Sequence, residues 1–210
     1  MSSQKISRIR LLLALLIAIF IFVNIFLFTY TISFLKSQKI SEIESDIRYS
    51  LLSFNVEREL LKSCDDKVLD IISKDLDEVG SIVSILEENF GKDDKKVLEQ
   101  KRLYTLMEVQ HFLNIKEYNE DCDKNKHTFL FFYSNQNPFD VEAERVGKIL
   151  NTLKSKNKDV MIYSFDYDLD FQIIDLLKSL YNVSAPNVVV INEKGPFTIN
   201  HIDDLDKHLE

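Results

Sequence analysis

The stretch from Leu11 to Leu35 runs for 25 residues without a charged side chain, and no other feature restricts the chain as strongly. Its core, LLLALLIAIFIFVNIFLF, is almost wholly Leu, Ile, Phe, Val and Ala. A helix of that length, rising about 1.5 Å per residue, reaches about 37 Å and crosses a hydrocarbon layer of about 30 Å with some tilt. Tyr30 and Lys36 stand where interfacial anchors belong. A cleaved signal peptide has a shorter apolar region, about 7–15 residues, and a small-x-small cleavage site. The sequence TYTISFLKS offers no such site. A buried soluble helix would show a polar stripe, and none is visible. The run therefore reads as an uncleaved anchor over residues 11–35, behind a basic tail over residues 1–10, with the membrane as the chain's first partner.

Orientation follows from charge. Lys5, Arg8 and Arg10 abut the run on one side, while Lys36, Lys39 and Arg48 follow it on the other. A short basic tail tight against the apolar run favours an amino terminus inside and a domain outside. The chain as a whole carries 26 basic and 34 acidic residues, a net charge of −8. Residues 1–36 hold four basic residues and no acid, so the rest carries −12 (−8 less +4). So acidic a soluble part excludes nucleic acid as a partner, because neutralising phosphates takes clustered Lys and Arg. Two cysteines are too few for a disulfide-built miniature fold or a four-thiolate zinc site.

Residues 36–126 read as a helical segment of about three helices, with apolar positions at steps of three and four. The first carries Ile40, Ile43, Ile47, Leu51, Phe54 and Leu61. The second carries Leu69, Ile72, Leu76, Val79, Val83 and Leu86, stops at Asn89-Phe90-Gly91, and is followed by Asp93 or Asp94 as the next cap. The third is expected to bury Leu103, Leu106, Met107, Gln110 and Leu113. The second pattern could also form a short coiled-coil seam, which leaves a homo-oligomer through this segment open. It lasts under three heptads, so packing within the chain is favoured. His111, beside Glu108, is a lone helical histidine, and such residues are more often packed than metal-bound.

From His127 the pattern changes. Thr128–Tyr133 is a continuous aromatic run of the kind found in buried strands. A helix is expected over 140–156, a strand over 159–165 and a helix capped by Asp170. A strand over 187–192 follows, then a turn at Asn192–Gly195, a short strand over 197–199 and a helix over 203–209. The order is βαβα then ββα, an α/β domain over residues 127–210.

These residues resemble a thioredoxin-like domain, whose element order is the same and whose third main strand is entered through a cis proline. Ser184-Ala185-Pro186 before Asn187-Val-Val-Val sits at the matching place. The whole chain is similar to a group of membrane-anchored, thioredoxin-like proteins of unassigned function from small-genome archaea. Phe132-Tyr-Ser-Asn135, Tyr163-Ser-Phe-Asp166 and Ala185–Asn192 carry that likeness. The resemblance implies a Cys-x-x-Cys at the strand-to-helix turn, where a helix amino terminus lowers a thiol pKa. Here that turn reads Asn137-Pro138-Phe139-Asp140, with Asn and Asp where the sulfurs would be. Disulfide exchange by the family mechanism is thereby excluded, and Asn137 and Asp140 read instead as helix caps.

Cys64 ends the first helix and Cys122 precedes the first strand. Pairing them would close a long loop, which contributes about 4 kcal/mol in the chain-entropy model. Free thiols or a redox pair are the alternatives, although Asp65, Asp66, Asp121 and Asp123 beside them raise thiol pKa values and oppose reactivity. Asp166, Asp168 and Asp170 suggest a calcium loop. That loop needs Gly at its sixth position and Glu at its twelfth, and Phe171 and Leu177 stand there. Asn182-Val-Ser184 is a glycosylation sequon. No phosphate loop, G-x-S-x-G elbow or His-Glu-x-x-His box is present, so no cofactor, metal or catalytic residue is expected. The sequence thus points to a membrane-anchored, redox-inactive binding or scaffolding module for a protein or peptide ligand, which the resemblance would place against the surface of Asn135–Phe139 and Ser184–Pro186. An oxidoreductase using Cys64 and Cys122 and a structural envelope protein remain as alternatives.

Overall fold

The structure is a computed structural model describing residues 2–209, and the chain divides into two compact units between Asp46 and Ile47. In the first unit, Leu12–Phe34 of helix α1 (Ser2–Leu61) is a 23-residue stretch long and apolar enough to cross a membrane, with no part of it buried in protein. Among the described residues it is the one such helix. The side chains of Lys5, Arg8, Arg10, Lys36, Lys39 and Ile40 lie outside the described residues.

In the second unit, α1 ends at Leu61 and is followed by α2 (Asp66–Phe90) and α3 (Lys95–Cys122). The α2 helix begins at Asp65, whose carboxylate accepts the Lys67 N–H, and ends at Gly91, with φ of 92°. Asp94 caps α3 by accepting from the Lys96 and Val97 N–H groups. These are the side-chain acceptors that the first turn of a helix lacks internally. The six apolar residues of α2 expected on one face are all buried. Each contributes about 1.5–3 kcal/mol, most of it offset by the entropy of ordering the chain.

Helix α3 departs from the expected face. Leu113 is exposed, and Leu103, Leu106 and Gln110 are only half-buried. The buried residues are instead Val97, Gln100, Lys101, Thr105, Met107, Glu108, His111, Phe112, Asn114, Ile115 and Tyr118. The cause is the neighbour that α3 covers, an edge strand whose outward N–H groups need acceptors. Glu108 Oε1 accepts the Ser164 N–H of that strand at 2.7 Å.

The sheet has the order β2-β1-β3-β4, formed by β1 (His127–Tyr133), β2 (Val160–Asp166), β3 (Val188–Ile191) and β4 (Lys194–Phe197). β1 pairs with β2 in parallel, from His127 opposite Val160 to Tyr133 opposite Asp166. It pairs with β3 antiparallel, from Phe129 opposite Ile191 to Phe132 opposite Val188. β3 and β4 are antiparallel. The β1–β2 crossover is α4 (Asp140–Lys156), which packs Ala143, Val146, Leu150 and Leu153 on Phe129, Phe131, Val160, Val189 and Ile191. Tyr163 and Phe165 alternate with Ile162 and so face the other way, where Tyr163 meets His111 and Phe112 of α3. Helix α5 (Gln172–Leu180) buries Ile174 and Leu177, and α6 (Asp203–Asp206) buries Leu205.

Three boundaries differ from the sequence expectation. Asn192 and Glu193, at φ of 49° and 63°, make the β3–β4 turn alone, so β4 starts at Lys194 rather than at Phe197. The α5 cap position is Phe171 rather than Asp170, and it makes no side-chain cap bond because phenylalanine has no acceptor; the Asp170 carbonyl accepts from Arg102 Nε at 3.2 Å. The last helix is one turn long, ending at Asp206 rather than at Leu209.

Candidate functional site

The turn between β1 and α4 carries the residues that replace a thiol motif. Its backbone is fixed from inside: the Gln136 N–H donates to Ser134 Oγ at 3.1 Å, and Ser134 Oγ donates to Asp168. The Phe139 N–H donates to the Gln136 carbonyl at 2.7 Å. Phe139 is the cap residue of α4 and makes no side-chain cap bond. Asn137 and Asp140 therefore do not cap the helix as expected. Asp140 is instead inside the first turn, where a negative charge favours the helix dipole.

The loop over Ser184–Pro186 approaches this turn through Asn187. The Asn187 N–H donates to the Phe132 carbonyl at 2.6 Å, and its Oδ1 accepts the buried Ser134 N–H at 3.2 Å. Its Nδ2 donates to the Phe139 carbonyl at 2.8 Å. Asn187 has φ of 63°, a left-handed conformation that Asn tolerates better than most residues. The cis-proline expectation is corrected here. The cis bonds among the described residues are Asn137–Pro138 and Gly195–Pro196, and Ala185–Pro186 is not one of them. The chain enters β3 through the left-handed turn at Asn187 and its three bonds instead.

Beside this turn lies a cleft of about 910 Å³. Its floor is Phe131, Tyr133, Ile162 and Ser164, one wall is α2 from Asp77 to Glu87, and the other is α4 from Asp140 to Ser155. Serines 81, 84 and 155 and Asn151 place hydrogen-bonding groups along the walls. A Cβ added at Gly147 would meet nothing within 4 Å, so the α4 backbone is approachable there. Gly80, by contrast, is where α2 lies close to α3, since a Cβ there would come within 2.6 Å of Tyr104 Oη.

Lys101 occupies the inner end of the cleft. Its ammonium donates to Glu87 and Asp166 at 2.6 Å each and stands 5.4 Å from the Tyr133 ring centre. Burial opposes its charge, yet the Tyr133 phenol oxygen and the two carboxylates hold its pKa above the usual lysine value. Burial also pushes the Tyr133 phenol up. Lysine 101 is thus a fixed cation, not a nucleophile. Lys92 donates to Asn135 Oδ1 at 2.8 Å, while Asn135 Nδ2 has no partner. A second depression of about 490 Å³ shares Asn135, Lys92 and Asp166 and adds Gln136, Asn137, Asp168 and Asp170.

The remaining sequence candidates are accounted for by packing. His111 lies between Ser73 Oγ at 3.1 Å and Tyr163 Oη at 2.8 Å, and burial lowers its pKa to about 3. A neutral, 1% exposed imidazole cannot reach a substrate. Asp166 serves Lys101 and Asp168 serves Ser134. Among the described residues, no group of three or more His, Cys, Asp or Glu is placed to hold a metal. Cys64 and Cys122 form a disulfide, with Cα atoms 5.5 Å apart, joining the end of α1 to the end of α3. Asn182 and Ser184 of the sequon are exposed. The Lys101 cluster and the Asn187 bridge went unrecognised in the sequence. A lysine at the helical spacing Val97, Lys101, Thr105 and Glu108 was the available signal.

What fold and site define is a class: a mixed α/β domain on a chain with one helix long and apolar enough to cross a membrane. No family model matches this chain, and neither the curated proteins nor the solved structures contain a match.

Proposed function

We propose that the chain is a single-pass membrane protein whose extracytoplasmic, thioredoxin-like domain binds a protein or peptide and exchanges no disulfides. The carrying observation is the fate of the sulfur. The turn that would hold the thiol pair holds Asn137 and Asp140, and both cysteines of the chain are joined to each other elsewhere. The strand order β2-β1-β3-β4, with one parallel and two antiparallel pairs, agrees with the thioredoxin-like reading. A Cys64–Cys122 bridge agrees with an oxidising compartment, hence with a domain outside the cytoplasm.

The cleft between α2 and α4 is the binding site on this reading. Its size falls within the range of ligand sites, and its walls carry hydroxyl and amide groups suited to peptide backbone. The test is photocrosslinking in intact cells from Ser84 and Asn151, one on each wall, against exposed Glu88 outside the cleft. Adducts from both walls that disappear with Gly147→Leu, whose Cβ has open space within 4 Å and whose side chain takes up room in the cleft, are the expected result. Adducts that persist in Gly147→Leu, or that form equally from Glu88, refute the cleft as the site. Alkylation and mass spectrometry of the same cells test the compartment: free thiols at Cys64 and Cys122 would refute the extracytoplasmic placement.

A further inference from the structure

The one N-x-S/T triplet in the sequence, Asn182-Val183-Ser184, lies outside the proposed binding site and has a defined place in the fold. Helix α5 ends at Leu180, and the chain turns over the residues that follow. The Val183 N–H donates to the Lys178 carbonyl at 2.8 Å, and the Val183 side chain is buried. Asn182, at φ of 55°, and Ser184 are both exposed. Among the described residues, nothing bonds the Asn182 side-chain amide. The amides of Asn24, Asn89, Asn119, Asn187 and Asn192, by contrast, each donate to a carbonyl. The middle position of the triplet is Val, not the proline that disqualifies a sequon.

We infer that Asn182 carries an N-linked glycan. The inference rests on the extracytoplasmic placement proposed above, since disulfides and N-linked glycans belong to the same secreted context. The co-substrate is an oligosaccharide linked to a lipid pyrophosphate. Asn182 Nδ2 bonds to the anomeric carbon of its first sugar as the bond from that carbon to the pyrophosphate oxygen breaks. The lipid pyrophosphate leaves with the electron pair, and the amide gives up one proton. An unbonded amide is free to turn into this reaction, whereas one that holds a carbonyl must lose its bond first. The surroundings suit a glycan. Leu176 and Leu180, four residues apart on α5, are 57% and 68% exposed, and the second is two residues from Asn182. A bulky, hydrated group helps to keep such apolar surface soluble. No residue lining the cleft between α2 and α4 comes from α5 or from this turn, so a glycan here leaves the proposed peptide site free.

The test recovers the full chain from its native membranes, cleaves it with trypsin and weighs the peptide over residues 179–194. A sugar adduct placed on Asn182 by fragmentation is expected. Asn182→Gln and Ser184→Ala should each remove it completely, and Ser184→Thr, which keeps a hydroxyl, should retain it. Alkylation before the digest reports the state of Cys64 and Cys122, which separates two kinds of failure. A bare peptide from a chain whose cysteines are bonded overturns the glycan and leaves the placement standing. A bare peptide with free thiols overturns both. An adduct that survives Ser184→Ala does not depend on the sequon and overturns the assignment as well.

Discussion

Replacing Asn187 with Ala tests whether one side chain holds the two loops of the candidate site together. Three contributions follow from the geometry. The Ser134 N–H loses its acceptor at Oδ1 and is left buried without a partner, at about 1–3 kcal/mol. The Phe139 carbonyl loses the Nδ2 donor, an ordinary bond of about 1 kcal/mol. Alanine at φ of 63° adds about 1–2 kcal/mol that Asn and Gly largely avoid. The expected loss is therefore about 3–6 kcal/mol, a large part of the 5–15 kcal/mol typical of a folded domain. Asn187→Gly loses the same bonds and removes the conformational term, so it should be milder than Asn187→Ala by about 1 kcal/mol. Urea unfolding of the detergent-solubilised chain gives the energies. Hydrogen exchange over 132–140 and 184–190 gives the location, with both segments losing protection together. A loss under about 1 kcal/mol for Asn187→Ala, or protection lost in only one of the two segments, would show that Asn187 does not bridge them.

Four further outcomes are expected. Replacing both Cys64 and Cys122 with Ala should cost about 4 kcal/mol by the loop-entropy estimate, read as a shift of the urea midpoint, with little added by reductant in the variant. Lys101→Met should cost about 3 kcal/mol, because Glu87 and Asp166 would face each other without a cation, and Glu87→Gln in the same chain should recover part of that loss. Gly147→Ala should stabilise α4 by about 0.5–1 kcal/mol, whereas Gly80→Ala should destabilise by moving the Tyr104 ring, so thermal melting should shift in opposite directions. Stability should also be flat between about pH 4.5 and 6.5 and fall on either side. Burial raises the Glu108 carboxyl from its ordinary 4.5 to about 8, so between those values the fold holds a proton that the unfolded chain has released, and this group lowers stability as pH rises through that window. His111, lowered from 6.5 to about 3, stays neutral in the fold while the unfolded imidazole is protonated, so this group lowers stability as pH falls from 6.5 to 3; the two slopes cancel between 4.5 and 6.5 and act alone outside it. Glu108→Gln should abolish the fall between pH 6.5 and 8 in a series of melts and turn the plateau between 4.5 and 6.5 into a decline toward acid, set by His111 alone.

The parts of the fold legible in the sequence are those where burial and polarity coincide. β1 reads as a strand because it is central and its residues are covered on both faces, so Phe129 to Phe132 need no polar alternation. The α2 face is legible for the same reason. The buried side of α3 was not, because its neighbours require acceptors and charges as much as apolar area. Glu108, His111 and Lys101 sit at core positions, while Leu113 points outward. The junction at residue 36, marked by the return of charge, is no break in the helix, since Lys, Gln and Glu continue a helix as readily as Leu. Of the site, the missing thiols were plain in the residue types. The bridge through Asn187 was hidden, because an asparagine after Ala-Pro looks like any strand entry until its side chain is seen to span two loops.

The way the sheet is finished limits how a partner can be recognised. β2 lies under α3, with the Ser164 N–H already taken by Glu108, and β4 is four residues long with Pro196 inside it. A proline has no N–H to offer and belongs on an edge that is not to be extended. One edge N–H is thus spent on α3 and the other border carries a proline, which disfavours β-augmentation as a route to a peptide. On the proposed binding reading, a peptide would be recognised through side chains of the helices, and its sequence preferences should follow pockets and charges rather than β-propensity.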